Sequence, residues 1–274
     1  MENAMQIADD FKTLRLMRWP FAIIPKPIIY ASRILYPVMH FAKPIEGIKK
    51  ETISLEGMKC TLLMPPKAKG TILDIHGGCF VFPAAPYRLK IASLYAKEGF
   101  RVILPDYPLL PKHAHPEALN TLINLALSIS DLAAISGDSA GGFLALRTAT
   151  ALKDTPPLML IYPVVSPEET ESKRKYTNTP MWNSKLDKWM WKNYLGGTQL
   201  EVLDYKRISK AFIEIVQYDP LHDEGLELWR ILKENNADVT LSATEGTVHG
   251  YDFLWKKPLT MKYIERRLNW LRSL

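Results

Sequence analysis

A serine hydroxyl becomes a useful nucleophile only beside a base, and the base needs a carboxylate to orient it. The serine that stands out here is Ser139, in Ile135-Ser136-Gly137-Asp138-Ser139-Ala140-Gly141-Gly142. An apolar run, Leu132 to Ile135, leads into this stretch, and a helical pattern, Phe143 to Leu152, leads out. G-x-S-x-G between a strand and a helix describes a sharp turn with the serine at its tip, where small neighbours relieve backbone crowding. The first turn of the helix adds unbonded N–H groups and a positive dipole end, both suited to a developing oxyanion. A glycine-rich turn with an incidental serine has the same pentapeptide, so the chemistry depends on partners elsewhere.

Six histidines compete for the role of base. His249 lies in Glu245-Gly246-Thr247-Val248-His249-Gly250-Tyr251, a loop after the last apolar run, and nearby glycines let it carry its imidazole over a sheet edge. His40 falls in the N-terminal stretch, and His113 and His115 share a proline-flanked loop. The H-x-H spacing of that pair suits a metal, but no Cys/His/carboxylate set nearby completes a site. His76 opens a glycine pair and is expected to support that loop. For the acid, Tyr218-Asp219-Pro220-Leu221-His222-Asp223-Glu224-Gly225 offers three carboxylates. Asp219 sits at a strand end, and Pro220 biases it toward an extended conformation. Asp223 is the alternative, although Asp223 and Glu224 fall in a first helical turn where the dipole explains acids. His222 lies only three residues from Asp219, too near for triad geometry. The candidate set is therefore Ser139, Asp219 and His249, in that chain order. Acyl transfer also needs donors for the carbonyl oxygen. The N–H groups of Gly77 and Gly78, in His76-Gly77-Gly78-Cys79, with that of Ala140, are the expected oxyanion hole.

To bring residues 76, 139, 219 and 249 together, several strands must end along one edge. Thr52 to Leu55 and Met58 to Met64 flank Glu56-Gly57 as a hairpin, and Thr71 to Ile75 is a buried-type strand ending at His76. Helical stretches at Ala85 to Glu98, His115 to Ser130, Glu224 to Asn235 and Met261 to Leu274 alternate with strands at Val102 to Leu104, Leu132 to Ser136, Leu158 to Val165, Phe212 to Tyr218 and Val239 to Ala243. Such alternation implies an α/β fold with a mainly parallel sheet and a leading antiparallel hairpin. In open sheets of this kind, sites form beyond the carboxyl ends of the strands, where His76, Ser139, Asp219 and His249 all fall.

At 274 residues, 47% hydrophobic and 23% charged, the chain has the composition of a globular protein with a sizeable core. Cys60 and Cys79 make neither a disulfide framework nor a metal quartet, which points to a reducing, cytoplasmic setting. The first residues lack the pattern of a secretory signal. Phe21 to Phe41 is apolar, but Lys26, Arg33, Pro25, Pro27 and Pro37 interrupt it and Pro20 precedes it, so a transmembrane helix is not expected. The net charge of +6 is uneven. Residues 1–50 hold eight Lys/Arg against four Asp/Glu, and residues 166–210 hold nine against six. No stacking-aromatic or nucleic-acid motif accompanies this charge, so a solvated surface is expected, with anionic substrates or lipid head groups as the alternative.

The combination resembles the hormone-sensitive-lipase-like family of α/β-hydrolase esterases. His76-Gly77-Gly78-Cys79 is similar to that family's H-G-G-G loop, and Gly137-Asp138-Ser139-Ala140-Gly141-Gly142 matches its G-D-S-A-G-G elbow. Asp219-Pro220-Leu221-His222-Asp223-Glu224-Gly225 is similar to its D-P-L-x-D-E-G loop, and Val248-His249-Gly250-Tyr251 to its x-H-G-F loop. Pro105-Asp106-Tyr107 resembles its D-Y-R segment, with Pro108 where the arginine would stand. The match spans about residues 71–255. It implies an α/β-hydrolase fold with a helical cap, and carboxylic-ester hydrolysis of small to medium acyl groups without a cofactor or metal. The cap is then expected from residues 1–50, with an insertion at about 166–210, on a main domain of 51–274. Residues 2–18, with Ile7, Phe11 and Leu14 on one face, and roughly Ile28 to Phe41 are its expected helices. Leu186, Trp189, Met190 and Tyr194 share a helix face in the insertion. Cys79 departs from the pattern, adding a side chain near the acyl pocket that either narrows it or is an inert buried thiol. An amidase, peptidase or deacetylase on the same residues stays open, as does a non-catalytic receptor of the same fold.

Overall fold

The protein is described from a computed structural model, over residues 5–18, 23–35 and 42–274. Eight strands form one sheet: β1 Lys49–Leu55, β2 Met58–Met64, β3 Thr71–Ile75, β4 Arg101–Pro105, β5 Leu132–Asp138, β6 Leu158–Ile161, β7 Lys210–Tyr218 and β8 Asp238–Val248. Their order is β1-β2-β4-β3-β5-β6-β7-β8. β1 pairs antiparallel with β2 and β2 with β4, while every later pairing is parallel. Parallel strands carry helices on both faces and are buried on both, so β3 and β6 are apolar runs rather than alternating ones. The hairpin closes through Glu56 (φ 48°) and Gly57 (φ 73°), the left-handed pair that matches strand twist in a two-residue turn.

The helices are α1 Lys26–Leu35, α2 Pro86–Lys97, α3 Glu117–Ser128, α4 Ala140–Ala151, α5 Glu171–Lys175, α6 Ser184–Leu195, α7 His222–Glu234 and α8 Pro258–Arg272. Two apolar layers result, one on each sheet face. One contains Leu73, Ile75, Phe143, Leu160 and Ile213, and the other Ile72, Tyr95, Met159, Phe212 and Leu271.

Several boundaries differ from the sequence expectation, among them that of the last strand, where β8 runs to Val248 rather than ending at Ala243, so that residues 244–248 are strand and not loop. The β6 strand stops at Ile161 rather than Val165, because Tyr162 takes φ 36° and Pro163 follows. The Val164 N–H then donates to Ser139 O, leaving the ladder. The N-terminal stretch expected as an amphipathic α-helix forms a 3-10 helix, Asp9–Leu16. Tertiary bonds hold it: Ala8 N–H donates to Gly246 O, and Asp10 accepts Leu259 N–H at 2.9 Å. Ile7, Phe11 and Leu14 are buried as that face requires. The second helix runs over Lys26–Leu35 and not from Ile28, while residues 36–41, with His40, lie outside the described residues.

Candidate active site

Four strand ends meet at one edge of the sheet. The elbow between β5 and α4 holds Ser139 at φ 53° and ψ −123°, a left-handed backbone that side chains rarely adopt. Neighbouring glycines make room for it. A Cβ at Gly137 would stand 2.2 Å from Gly141 O, and one at Gly141 would stand 2.0 Å from Ile75 O. Both obstacles are backbone, so neither site can relax by a rotamer change.

Ser139 Oγ lies 2.9 Å from His249 Nε2, and His249 Nδ1 lies 2.6 Å from Asp219 Oδ2. A ring nitrogen facing a carboxylate carries the proton, so Nδ1 donates to Asp219 and Nε2 is left to accept the serine hydroxyl. Asp219 is fully buried, and its second oxygen accepts the Leu221 N–H at 3.0 Å. Burial pulls the His249 pKa down, but the charge and hydrogen bond of Asp219, with Asp138 and Asp252 beyond, outweigh it and raise the value.

The alternative acid is occupied elsewhere. Asp223 accepts the Ser172 N–H at 2.7 Å and pairs with His222 at 2.9 Å. His113 pairs with Glu117 at 2.6 Å, and the His115 N–H donates to Tyr194 O. Among the described residues, no group of three or more His, Cys, Asp or Glu is placed to hold a metal. His76 supports its loop: it stacks on Tyr107 at 4.4 Å, and its Nδ1 lies 2.6 Å from Gly77 O. Burial pulls its pKa down to about 4. The hydroxyl of Tyr107, from the Pro105-Asp106-Tyr107 segment, donates to His76 O at 2.7 Å.

The donor set needs one correction. The Gly77 N–H donates to Asp138 Oδ1 at 3.0 Å and so is already committed. A Cβ there would also stand 2.6 Å from Asp138 Oδ2, so this glycine serves close packing of the loop on the elbow. The N–H groups of Gly78, Cys79 and Ala140 have no acceptor among the described residues. Gly78 and Cys79 line the cavity beside Ser139. Cys79 is buried at φ 49°, and burial pushes its thiol pKa well up, so it stays protonated and unreactive.

The cavity has a volume of about 250 Å³ and is lined mainly by apolar and aromatic residues, among them Ile24, Phe82, Tyr87, Met181, Trp182 and Leu186. Ile24 comes from the N-terminal region, and Met181, Trp182 and Leu186 come from the stretch between β6 and β7. Trp182 lies 6.1 Å, ring to ring, from His249. Trp191 and Tyr194 pack instead on Phe143 behind the elbow.

Three buried ionic clusters that the sequence did not reveal support this edge. Arg88, on α2, bonds both Asp74 oxygens at 2.9 and 3.0 Å and approaches Asp138 at 3.1 Å, fixing the underside of the elbow. Arg267, on α8, joins Glu214 and Asp252, and Asp252 accepts the hydroxyl of Tyr162, whose ring meets His249 edge-on at 4.8 Å. Lys173, expected on a solvated basic surface, is buried against Glu224 at 2.9 Å and Asp187 at 3.2 Å. That contact ties α5 and α6 to α7. Helix spacing gave a signal for two of these cations: Arg267 shares a face with the buried Tyr263 and Leu271, four residues either side, and Arg88 with the buried Ala92 and Tyr95.

A model of the alpha/beta hydrolase fold matches residues 72–253, and the chain belongs to that family. In sequence it is similar to LipR of Mycobacterium tuberculosis, named as an acetyl-hydrolase, with 33% identity over 122 residues covering 41% of this chain and 40% of that one. It is also 25% identical over 214 residues to the acetyl esterase of Salmonella enteritidis, across 68% of this chain and 66% of that one. The alignments with LipR and with an Acinetobacter venetianus esterase span 40% and 31% of those proteins' lengths. Among solved structures, a bacterial heroin esterase superposes with a TM-score of 0.82 over 98% of both chains at 22% identity, which is a likeness of fold.

Proposed function

We propose that this protein is a serine carboxylesterase acting on small to medium acyl esters. The observation that carries this reading is the unbroken hydrogen-bond line from Ser139 Oγ through His249 to Asp219, at 2.9 and 2.6 Å, opening on an apolar cavity. In this mechanism Ser139 attacks the ester carbonyl while His249 takes its proton, and Asp219 stabilises the imidazolium. The N–H groups of Gly78, Cys79 and Ala140 hold the oxyanion, and His249 returns the proton to the leaving alcohol. Water, activated by the same imidazole, then releases the acid. Residues 1–50 and 166–210 act as a cap that closes the acyl pocket. The names of the Salmonella acetyl esterase and the Acinetobacter venetianus esterase support an ester rather than an amide bond.

A volume near 250 Å³ lies below the roughly 300–1,000 Å³ of drug-sized pockets, which favours short acyl groups. Across p-nitrophenyl esters from acetyl to palmitoyl, kcat/KM is expected to be highest between acetyl and hexanoyl and to fall at least about tenfold by dodecanoyl. A maximum at palmitoyl would overturn the size assignment. Turnover of amides or acetylated amines at rates rivalling the esters would overturn the ester assignment.

The pH profile follows from His249, which must be neutral to accept the serine proton. Its pKa is raised, so the inactive imidazolium persists to higher pH than for an ordinary histidine. The expected kcat/KM climbs with pH through an apparent pKa above 6.5. Full activity maintained down to pH 5.5 would contradict the assignment of this base.

A further inference from the structure

The outward face of α1 is apolar where a surface helix is normally polar. Ile29 faces inward and is buried, while Pro27, Tyr30, Ala31 and Ile34 face out with Lys26 as the accompanying charge. Tyr30 and Ile34 are 54% and 77% exposed, and Leu16, nearby in sequence, is 88% exposed. Two chain neighbours of these side chains reach the cavity. Ile24, two residues before α1, lines the cavity, and Met17 O accepts the N–H of Met181, another lining residue. The exposed Phe253 packs edge-on against another lining residue, Tyr87, at 5.5 Å.

The charge of this region has one sign. Between Phe11 and Ile45 the sequence holds no Asp or Glu, against Lys12, Arg15, Arg18, Lys26, Arg33 and Lys43. Of the acids just before it, Asp9 pairs with Lys12 at 2.7 Å, so that those two charges cancel, and Asp10 accepts the Leu259 N–H, which leaves Arg15, Arg18, Lys26, Arg33 and Lys43 as the excess. An exposed apolar face flanked by cations, with no intervening carboxylate, is the pattern that lies in the head-group region of an anionic bilayer. A second copy of this chain would bring the same excess of positive charge against itself, which opposes self-association through this face.

We propose that the N-terminal region, through Leu16, Tyr30, Ile34 and the surrounding Lys and Arg side chains, docks the protein on anionic phospholipid surfaces with the cavity mouth toward the lipid. The docking rests on the surface alone. Its consequence, that apolar esters enter from the bilayer rather than from water, rests on the esterase reading. Docking of this kind is weak and salt-sensitive, since the apolar area is small and the charges are exposed.

Co-sedimentation with phosphatidylcholine vesicles carrying phosphatidylglycerol as the minor lipid tests it. The full chain is expected to pellet with these vesicles, to stay in solution with phosphatidylcholine alone, and to be released by high salt. The double variant Tyr30→Asp/Ile34→Asp and the double variant Arg18→Glu/Lys26→Glu should each lower the bound fraction at least about tenfold. Both should keep the far-UV circular dichroism and the cooperative thermal unfolding of the wild type, showing that they fold. Ser139→Ala should bind vesicles like the wild type whether or not the esterase reading holds, which separates the two proposals. No pelleting with the anionic vesicles would overturn the docking, as would equal binding to neutral ones. If light scattering shows a dimer that Tyr30→Asp/Ile34→Asp splits while vesicles are ignored, the face is a self-interface and the proposal fails.

Discussion

Replacing Ser139 with alanine is expected to lower kcat on a short p-nitrophenyl ester by about 10⁵–10⁶-fold, because a triad loses nearly all its function with its nucleophile. The substitution removes the Oγ that lies 2.9 Å from His249 Nε2 and leaves the Asp219 bond to Nδ1 intact. Alanine carries the same backbone restriction at φ 53° as serine, so the elbow keeps its strain and its shape. Stability should therefore change by no more than about 1 kcal/mol, the scale of one lost hydrogen bond. Steady-state turnover with thermal unfolding on the same preparation separates chemistry from folding. Activity within about tenfold of wild type in a folded mutant would remove Ser139 from the mechanism.

Arg267→Met should act on stability instead. The guanidinium is fully buried and bonds Glu214 Oε2 at 3.0 Å, Asp252 Oδ2 at 2.9 Å and the Tyr251 hydroxyl at 3.0 Å. Methionine fills similar space but leaves two buried carboxylates facing each other without a cation. Breaking a buried pair from one side costs about 3–5 kcal/mol, which for a domain of this size is a fall in Tm of roughly 6–20 °C. Adding Glu214→Gln should recover part of the loss, since one uncompensated charge is then gone. Urea or thermal unfolding of the single and double variants reads both effects. An Arg267→Met protein as stable as wild type would show that the cluster holds nothing in place. Because Asp252 bonds Tyr162 and Tyr162 packs on His249, activity should also decline faster with temperature than in wild type.

Much of this protein was legible from local rules. Each core strand announced itself as an apolar run, because parallel strands are buried on both faces and need no alternation. The elbow was legible because its glycines answer to backbone contacts at 2.0 and 2.2 Å that no side chain can share. Chain order, with Asp219 just past the end of β7, singled out residues whose side chains do meet. The boundaries that moved did so where tertiary bonds compete with propensity. Val164 left the β6 ladder for Ser139 O, and Ala8 N–H took Gly246 O instead of starting an α-helix.

By itself, then, the order of residues determined the α/β architecture and the side chains proposed for acyl transfer, since both follow from periodicity, turn sterics and the types of group present. Only the tertiary structure decided what surrounds them. The partners of the buried Arg88, Lys173 and Arg267 could not be read from the sequence, because those carboxylates lie on other elements. Gly77 read as a free donor until the fold set the Asp138 carboxylate 3.0 Å from its N–H. The cavity's size is likewise set by distant segments meeting over Ser139, and no local pattern encodes the space left between them.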